Sequence, residues 1–233
     1  MKNSYYANIN VDLLKAIPSA SSFVLEVGAG TGQLGKAYRS FNPGTCYVGI
    51  EIFEDAAREA TENLDHIING DAANSDTLLA LDRYCAGRLF DALVLGDVIE
   101  HFVNPWHVLR ELRARMAPGA MCVACIPNIA HWSVIHQLLH GRWNYTDMGL
   151  LDRTHLRFFT FETAVELFTE TGWSFLDASP RILMKEPTDS IMKELLPLSA
   201  KLGISPAKMS RDLSAFQWVI RSLNPPDTIT AGK

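Results

Sequence analysis

The sequence predicts an α/β protein built on an open, doubly wound sheet, and three observations carry that prediction. Short apolar runs alternate with amphipathic stretches between residues 23 and 127. The links between them are only a few residues long, as in a parallel sheet covered on both faces. A last strand-like run, FQWVIRSL at 216–223, returns after a long excursion and brings the number of predicted strands to seven. In such sheets ligands bind outside the carboxyl ends of the strands, at the switch point beside the first one.

The elements follow in order. FVLEV at 23–27 is a strand that runs into a glycine turn, and NPG at 42–44 ends the helix after it. CYVGIEI at 46–52 is a second buried strand. FEDAAREATENL sets Phe53, Ala56, Ala57, Ala60 and Leu64 at helical spacing, giving one apolar face. DHIING at 65–70 is the third strand, DTLLALDRY a helix, and FDALVLG at 90–96 the fourth strand. Asn104-Pro105 reads as an N-cap with proline at the first helical position. It opens a helix with Trp106, Leu109, Leu112 and Met116 on one side, stopped by Pro118-Gly119, before a fifth strand, AMCVACIP. Residues 128–160 are rich in histidine, arginine and aromatics and show no clean periodicity. A helix (FETAVELFTETG) and a strand (WSFLDAS) follow, then a helical excursion over 181–212 interrupted by Pro187, Pro197 and Pro206. The tail NPPDTITAGK is expected to fray.

Bulk properties narrow the function classes. A chain of 233 residues accommodates one sizeable α/β domain, expected to span 1–233 with acceptor-site insertions at about 128–160 and 181–212. The net charge of −5 argues against a dedicated nucleic-acid binder, which normally carries a basic footprint. The N-terminus has no apolar core of a secretory signal, and LFDALVLGDVI, the longest apolar run, is broken by Asp91 and Asp97. No membrane association is therefore expected, and the expected location is the cytoplasm. Cys122 and Cys125 form a C-x-x-C inside a strand, where positions three apart face opposite sides, so they read as core thiols.

The strand ends hold the residues able to do chemistry. After strand one comes EVGAGTGQLG, where Gly28, Gly30 and Gly32 allow positive φ and close ligand approach, with Ala29 between them. The following helix directs its N-terminal N–H groups at the bound group. Gly30, Gly32 and Gly35 also satisfy the dinucleotide pattern G-x-G-x-x-G, so a nicotinamide cofactor competes with S-adenosylmethionine for this turn. After strand two, Glu51 is placed to accept hydrogen bonds from ribose hydroxyls, with Ile52 beside it for an adenine face. After strand three, Asp71-Ala72 can meet the adenine amino group; the alternative is that Asp71 caps the next helix, a role Asn74 or Ser75 could take instead. After strand four stands DVIEHF, in which His101 titrates near neutrality and can act as a general base or serve the structure.

The combination of VLEVGAGTGQLG, GIE, GDA and FDALVLGDVIEHFVNPWHVLRELRARMAPGA resembles the class I S-adenosylmethionine-dependent methyltransferases. In order and spacing it is most similar to the small bacterial enzymes of the UbiG/MetW type, over roughly residues 20–180. The resemblance implies a Rossmann-like sheet of order 3-2-1-4-5-7-6, mostly parallel with an antiparallel last strand. It implies S-adenosylmethionine as cofactor, held by the Gly28–Gly32 turn, by Glu51 on the ribose and by Asp71 on the adenine. Asp97 would line the methionine end, and Glu26 would organise the turn or hold the ligand's ammonium through water. LLDRTHLRFFT at 150–160 resembles a subgroup found beside glycosyltransferases or in natural-product pathways.

The sulfonium methyl is already electrophilic, so alignment of a small-molecule acceptor is the main task. A hydroxyl acceptor needs a base, for which His101 and His155 rank equally and His131 behind; a neutral amine acceptor needs none. Oxygen of a sugar or natural-product intermediate is the expected target, with N-methylation, NAD-dependent oxidoreduction and non-catalytic cofactor binding as alternatives. Arg142, Arg153 and Arg157, interleaved with Trp132 and other aromatics, suggest an anionic, ring-bearing acceptor, with Asn128 opening the same segment, and the resemblance implies that Tyr5 and Tyr6 fold over the cofactor as a lid. The alternative is that Arg153 pairs with Asp147 or Asp152 and only staples its loop. No metal-binding triad is visible, and none is expected.

Overall fold

The structure, a computed structural model, describes residues 9–226. Tyr5, Tyr6 and most of the C-terminal tail lie outside the described residues. Among the described residues seven strands form one sheet: β1 (Phe23–Val27), β2 (Cys46–Glu51), β3 (His66–Asn69), β4 (Phe90–Gly96), β5 (Met116–Pro127), β6 (Ser174–Arg181) and β7 (Gln217–Leu223). Their order is β3-β2-β1-β4-β5-β7-β6. β7 runs antiparallel to both β5 and β6, and the remaining neighbours are parallel. This is the sheet the sequence predicts.

The strands sit where they do because both faces are buried. Leu25, Leu93 and Cys122 point into one hydrophobic layer, and Val24, Val94 and Cys125 into the other. A strand apolar on both sides can only lie between two layers of helices. The cysteines three apart thus face opposite sides, and burial pushes both thiols' pKa up. Helix α2 (Gln33–Phe41) lies close on the sheet because Gly35 has no side chain. A Cβ there would stand 2.3 Å from Leu64 Cδ2. The third glycine of the apparent dinucleotide pattern therefore serves helix–sheet packing.

Helices α3 (Glu54–Ala60), α4 (Ser75–Cys85), α5 (Pro105–Arg113) and α7 (Phe161–Glu170) fall where the periodicity places them. Asn104 caps α5 by accepting from the His107 N–H, with Pro105 at the first helical position. Met116 is a correction: α5 stops at Arg113, and Met116 opens β5, paired with Phe90. Pro118-Gly119 then forms an irregularity inside β5, where Gly119 takes φ +81° and its N–H donates to the Asn224 carbonyl at 2.7 Å. Two short helices, α1 (Val11–Ala16) and α6 (Trp132–Leu139), are not evident from periodicity. The 181–212 excursion is helical, with α8 (Lys185–Leu195) and α9 (Pro206–Ser214). Among the described residues no helix is long and apolar enough to cross a membrane.

Candidate active site at the carboxyl ends of the strands

The glycine turn begins directly where β1 ends, at Val27. Gly28, Gly30 and Gly32 have φ of +75°, +53° and +76°, a region that costs residues with a Cβ. The Gly28 and Ala29 N–H groups donate to the Ile50 carbonyl at 2.8 and 3.1 Å, closing the turn onto β2. Gly32 is the N-cap of α2, and a Cβ on it would meet Leu64 Cγ at 2.9 Å. A Cβ on Gly28 would meet Val98 Cγ2 at 3.2 Å, so this turn and the loop after β4 are in contact.

Two buried carboxylates, Glu51 and Glu26, stand at the ends of the strands that meet at the turn. Glu51 is buried, and its oxygens accept from the Gly30 N–H at 2.7 Å and the Phe53 N–H at 2.9 Å. Each oxygen keeps a lone pair, so the same carboxylate can tie down the turn and receive ribose hydroxyls. Ile52, beside it, is 58 % exposed, free for a flat ring to cover. Glu26 is buried beneath the turn, and its Oε2 has no hydrogen-bond partner. Burial, with the Glu51 carboxylate adding to it and the Tyr47 phenol opposing, raises its pKa to about 8. Asp71 is exposed at the end of β3 and accepts from the Ala73 N–H at 2.8 Å, with Ala72 buried behind it. Asn74, not Asp71, caps α4 by accepting from the Asp76 N–H at 2.8 Å. Together, the positive-φ turn, the unpartnered Glu26 oxygen and the strand-end acids fit an aminoacyl-nucleoside ligand.

Asp97 follows β4 with φ +52°, an uncommon conformation for a non-glycine residue. Its carboxylate accepts from Gln217 of β7, whose own oxygen accepts from Arg181. Arg181 donates onward to Asp12 at 2.9 Å. Burial lifts Asp97 to about 6 and Arg181 opposes the rise. The next residues form a single 3₁₀ turn, Ile99–His101. Glu100, within it, is 1 % exposed, and neither carboxylate oxygen has a hydrogen-bond partner. Its backbone carbonyl accepts from the Leu156 and Arg157 N–H groups at 2.8 and 3.0 Å, so the 150–157 loop is fastened over it. That fastening brings His155 Nε2 to 3.8 Å from Glu100 Oε1 and the two imidazoles, His101 and His155, to 4.9 Å between centroids. Burial, followed by the proximity of His101, lowers the His155 pKa. The sequence identifies both histidines but gives Glu100 no role. Its only local signal is an acid among apolar neighbours at a strand's end.

Other predicted residues have structural partners. His131 is a correction: it is 1 % exposed, its pKa falls to about 4 by burial, and its ring caps α6 through the Ser133 N–H. Asn128 is also corrected. It is fully buried, its amide donates to the Asp212 and Ala215 carbonyls at 2.7 Å each, and its oxygen accepts from the Ala130 N–H. The Trp132 indole donates to Thr188 of α8 at 2.9 Å. Arg157 donates to the Val103 carbonyl, and Arg153 pairs with Asp147 at 2.7 Å, the stapling alternative. Arg142 is exposed, next to an aromatic series: Trp143 lies 5.3 Å from Phe158, and Phe158 lies 6.3 Å from His155.

A family model described as "Methyltransferase domain" matches residues 3–178. The chain belongs to the methyltransferase-domain family. Its matched region is thus a methyltransferase domain, and its fold is that of solved S-adenosylmethionine-dependent methyltransferases. A malonyl-[acyl-carrier protein] O-methyltransferase of Brevibacillus brevis is 29 % identical over 103 residues, covering 43 % of this chain and 36 % of that protein. The match thus spans about a third of that relative's length. A tRNA (guanine-N(7)-)-methyltransferase of Bacillus velezensis is 24 % identical over 179 residues, covering 77 % of this chain and 73 % of that one. Among solved structures, a SAM-dependent methyltransferase from Archaeoglobus fulgidus superposes with a TM-score of 0.58 at 16 % identity, covering 96 % of this chain and 94 % of that one. An S-adenosylmethionine-dependent methyltransferase from Mesorhizobium loti gives 0.57 at 12 % identity, covering 91 % and 96 %. Both likenesses concern the fold.

Proposed function

We propose that this methyltransferase acts on an oxygen of a ring-bearing small molecule. The observation that carries the reading is the line of groups Trp143, Phe158, His155, His101 and Glu100, which leads from an aromatic surface to a buried acid in the loop after β4, the loop whose Val98 meets the glycine turn. The cofactor supplies a sulfonium methyl carbon. The chain's contribution is to hold that end in the Gly28–Gly32 turn, with Glu51 on the ribose, Ile52 and Ala72 around the adenine, and Asp71 on its amino group. Glu26 stands below the turn as the counter-charge for an ammonium. The acceptor ring rests on the Trp143–Phe158 surface, with exposed Arg142 toward any anionic group it carries. Its oxygen then meets the Glu100, His101 and His155 cluster, which assists loss of the hydroxyl proton as the oxygen–carbon bond forms and the carbon–sulfur pair returns to sulfur.

The two curated relatives name an oxygen and a nitrogen acceptor. A buried acid with two imidazoles is of most use to a hydroxyl, whose proton must leave, which favours oxygen. The acidic chain favours a small acceptor over tRNA. The test begins with calorimetric titration by S-adenosylhomocysteine and, in parallel, NAD, followed by transfer of labelled methyl groups to hydroxylated rings, amines and bulk tRNA. Tight S-adenosylhomocysteine binding and labelled hydroxylated rings are the expected result. Label entering only amines or tRNA overturns the oxygen reading, and NAD binding in place of S-adenosylhomocysteine overturns the cofactor.

A further inference from the structure

We propose that Glu100, His101 and His155 form a binding site for one first-row divalent cation, of the zinc or cobalt(II) kind. One ligand atom from each residue lies within 4.8 Å of the others. The donor set is two imidazoles and one carboxylate, a combination suited to such ions and one that leaves further coordination positions open.

Hydrogen bonding fixes which ring atoms face the site. His101 Nδ1 stands 3.1 Å from the Thr154 carbonyl, and His155 Nδ1 stands 3.4 Å from the Leu150 carbonyl. A carbonyl oxygen only accepts, so in these contacts each Nδ1 carries the proton and each Nε2 presents a lone pair. Backbone carbonyls holding the distal N–H of each imidazole are the usual outer support of metal-ligating histidines. The loop itself is held by Asp152, which accepts from the Thr154 N–H at 2.8 Å and its hydroxyl at 2.7 Å.

The independent observation is Glu100. Its side chain is 1 % exposed, neither oxygen has a hydrogen-bond partner, and Oε1 faces His155 Nε2 at 3.8 Å. A buried carboxylate without hydrogen bonds is costly unless it is neutralised or coordinates a cation. Metal–ligand bonds of about 2.0–2.2 Å place two ligands of one ion no more than about 4.4 Å apart. Binding therefore requires the triad to contract slightly, which side-chain rotation can supply. An ion here would turn its open positions toward the acceptor, so this site deepens the oxygen-transfer reading and rests on it for its purpose, though not for its existence.

The test separates the two. Chelator-stripped protein is titrated with Co2+ and with Zn2+, following metal content, calorimetry and the visible absorption of bound Co2+. S-adenosylhomocysteine binding is measured in the same samples. The expected result is one ion per chain, with affinity falling by roughly 100-fold or more in Glu100→Gln and His155→Asn. Both variants should retain S-adenosylhomocysteine binding, showing that they fold. His101→Gln, at a half-exposed position, serves if either variant does not. No ion bound by the wild type at millimolar metal, or binding unchanged in these variants, overturns the site. Ion binding without S-adenosylhomocysteine binding leaves the site standing and overturns the methyl-transfer reading instead.

Discussion

The two sides of the strand-end surface differ in what does the work. On the side formed by the ends of β1, β2 and β3, the backbone makes the site: three glycines at positive φ, N–H groups bonded to the Ile50 carbonyl and to Glu51, and exposed Ile52. On the side formed after β4 and by residues 128–160, side chains make it, and many of them are already committed to partners elsewhere in the fold. Asn128, His131, Trp132, Arg153 and Arg157 all have partners within the fold. A cofactor common to many enzymes can be gripped by backbone, whose geometry tolerates little change. An acceptor pocket made of side chains on a fastened loop can change residue by residue while the sheet stays the same.

The sharpest way to break this comparison is to place a side chain in the backbone-built half. Gly32→Val forces a β-branched residue into φ +76° with its Cβ 2.9 Å from Leu64 Cγ. Strain and overpacking together should cost about 3 kcal/mol. Thermal melting should show a drop of several degrees, and S-adenosylhomocysteine titration should show no measurable binding. An unchanged titration would mean that the turn does not contact the cofactor.

Glu51→Ala tests the same half through a side chain that serves backbone and ligand together. It leaves the Gly30 and Phe53 N–H groups without their acceptor. Losing charge-assisted hydrogen bonds costs about 2 kcal/mol, so S-adenosylhomocysteine affinity should fall by about 30-fold in calorimetry. A fall of less than about 3-fold would limit Glu51 to supporting the turn.

This asymmetry explains what was legible in the sequence. The strands, the glycine turn and the acids at strand ends are local patterns, so FVLEVGAG and GIE locate them without knowledge of distant residues. Met116 is misplaced because its strand begins across a proline and glycine that normally end an element. Asn128 and Arg157 are misread for another reason: their partners are far away in sequence. Asn128 bonds to the carbonyl of Ala215, 87 residues on, and Arg157 to that of Val103, 54 residues back. An arginine committed to a carbonyl looks, in sequence, the same as one awaiting a ligand. Glu100 was missed because nothing local says that both of its oxygens are buried.

A gradual effect, about 1.4 kcal/mol for each pH unit between the unfolded and folded pKa, comes from Glu26. Its folded pKa of about 8 stands above the ordinary glutamate value of 4.5, so the ligand-free fold binds this proton more tightly than the unfolded chain does. The resulting stabilisation is complete below about pH 4.5, declines as pH rises, and is gone above about pH 8. Melting temperatures between pH 6 and pH 8 should fall less steeply in Glu26→Gln than in the wild type. An ammonium bound over Glu26 would favour the ionised form, so S-adenosylhomocysteine binding near pH 7 should release a proton. Calorimetry in buffers of different ionisation heat detects that release, and its absence would separate Glu26 from the ligand.

The smallest expected stability effect belongs to the side-chain-built half. Arg153 and Asp147 are 62 % and 86 % exposed, so their 2.7 Å pair is screened by water and worth less than about 1 kcal/mol. Arg153→Ala should therefore move the melting temperature by no more than about 3 °C. Arg142→Ala should leave melting equally unaffected, because Arg142 is exposed beside the Trp143 surface. The two variants should part only when an anionic acceptor is supplied: loss of Arg142 should raise its KM about 10-fold while loss of Arg153 changes it little. Equal KM effects would mean that the loop's charge acts as a diffuse field, and a larger effect from Arg153 would mean that its pairing with Asp147 opens to admit the acceptor.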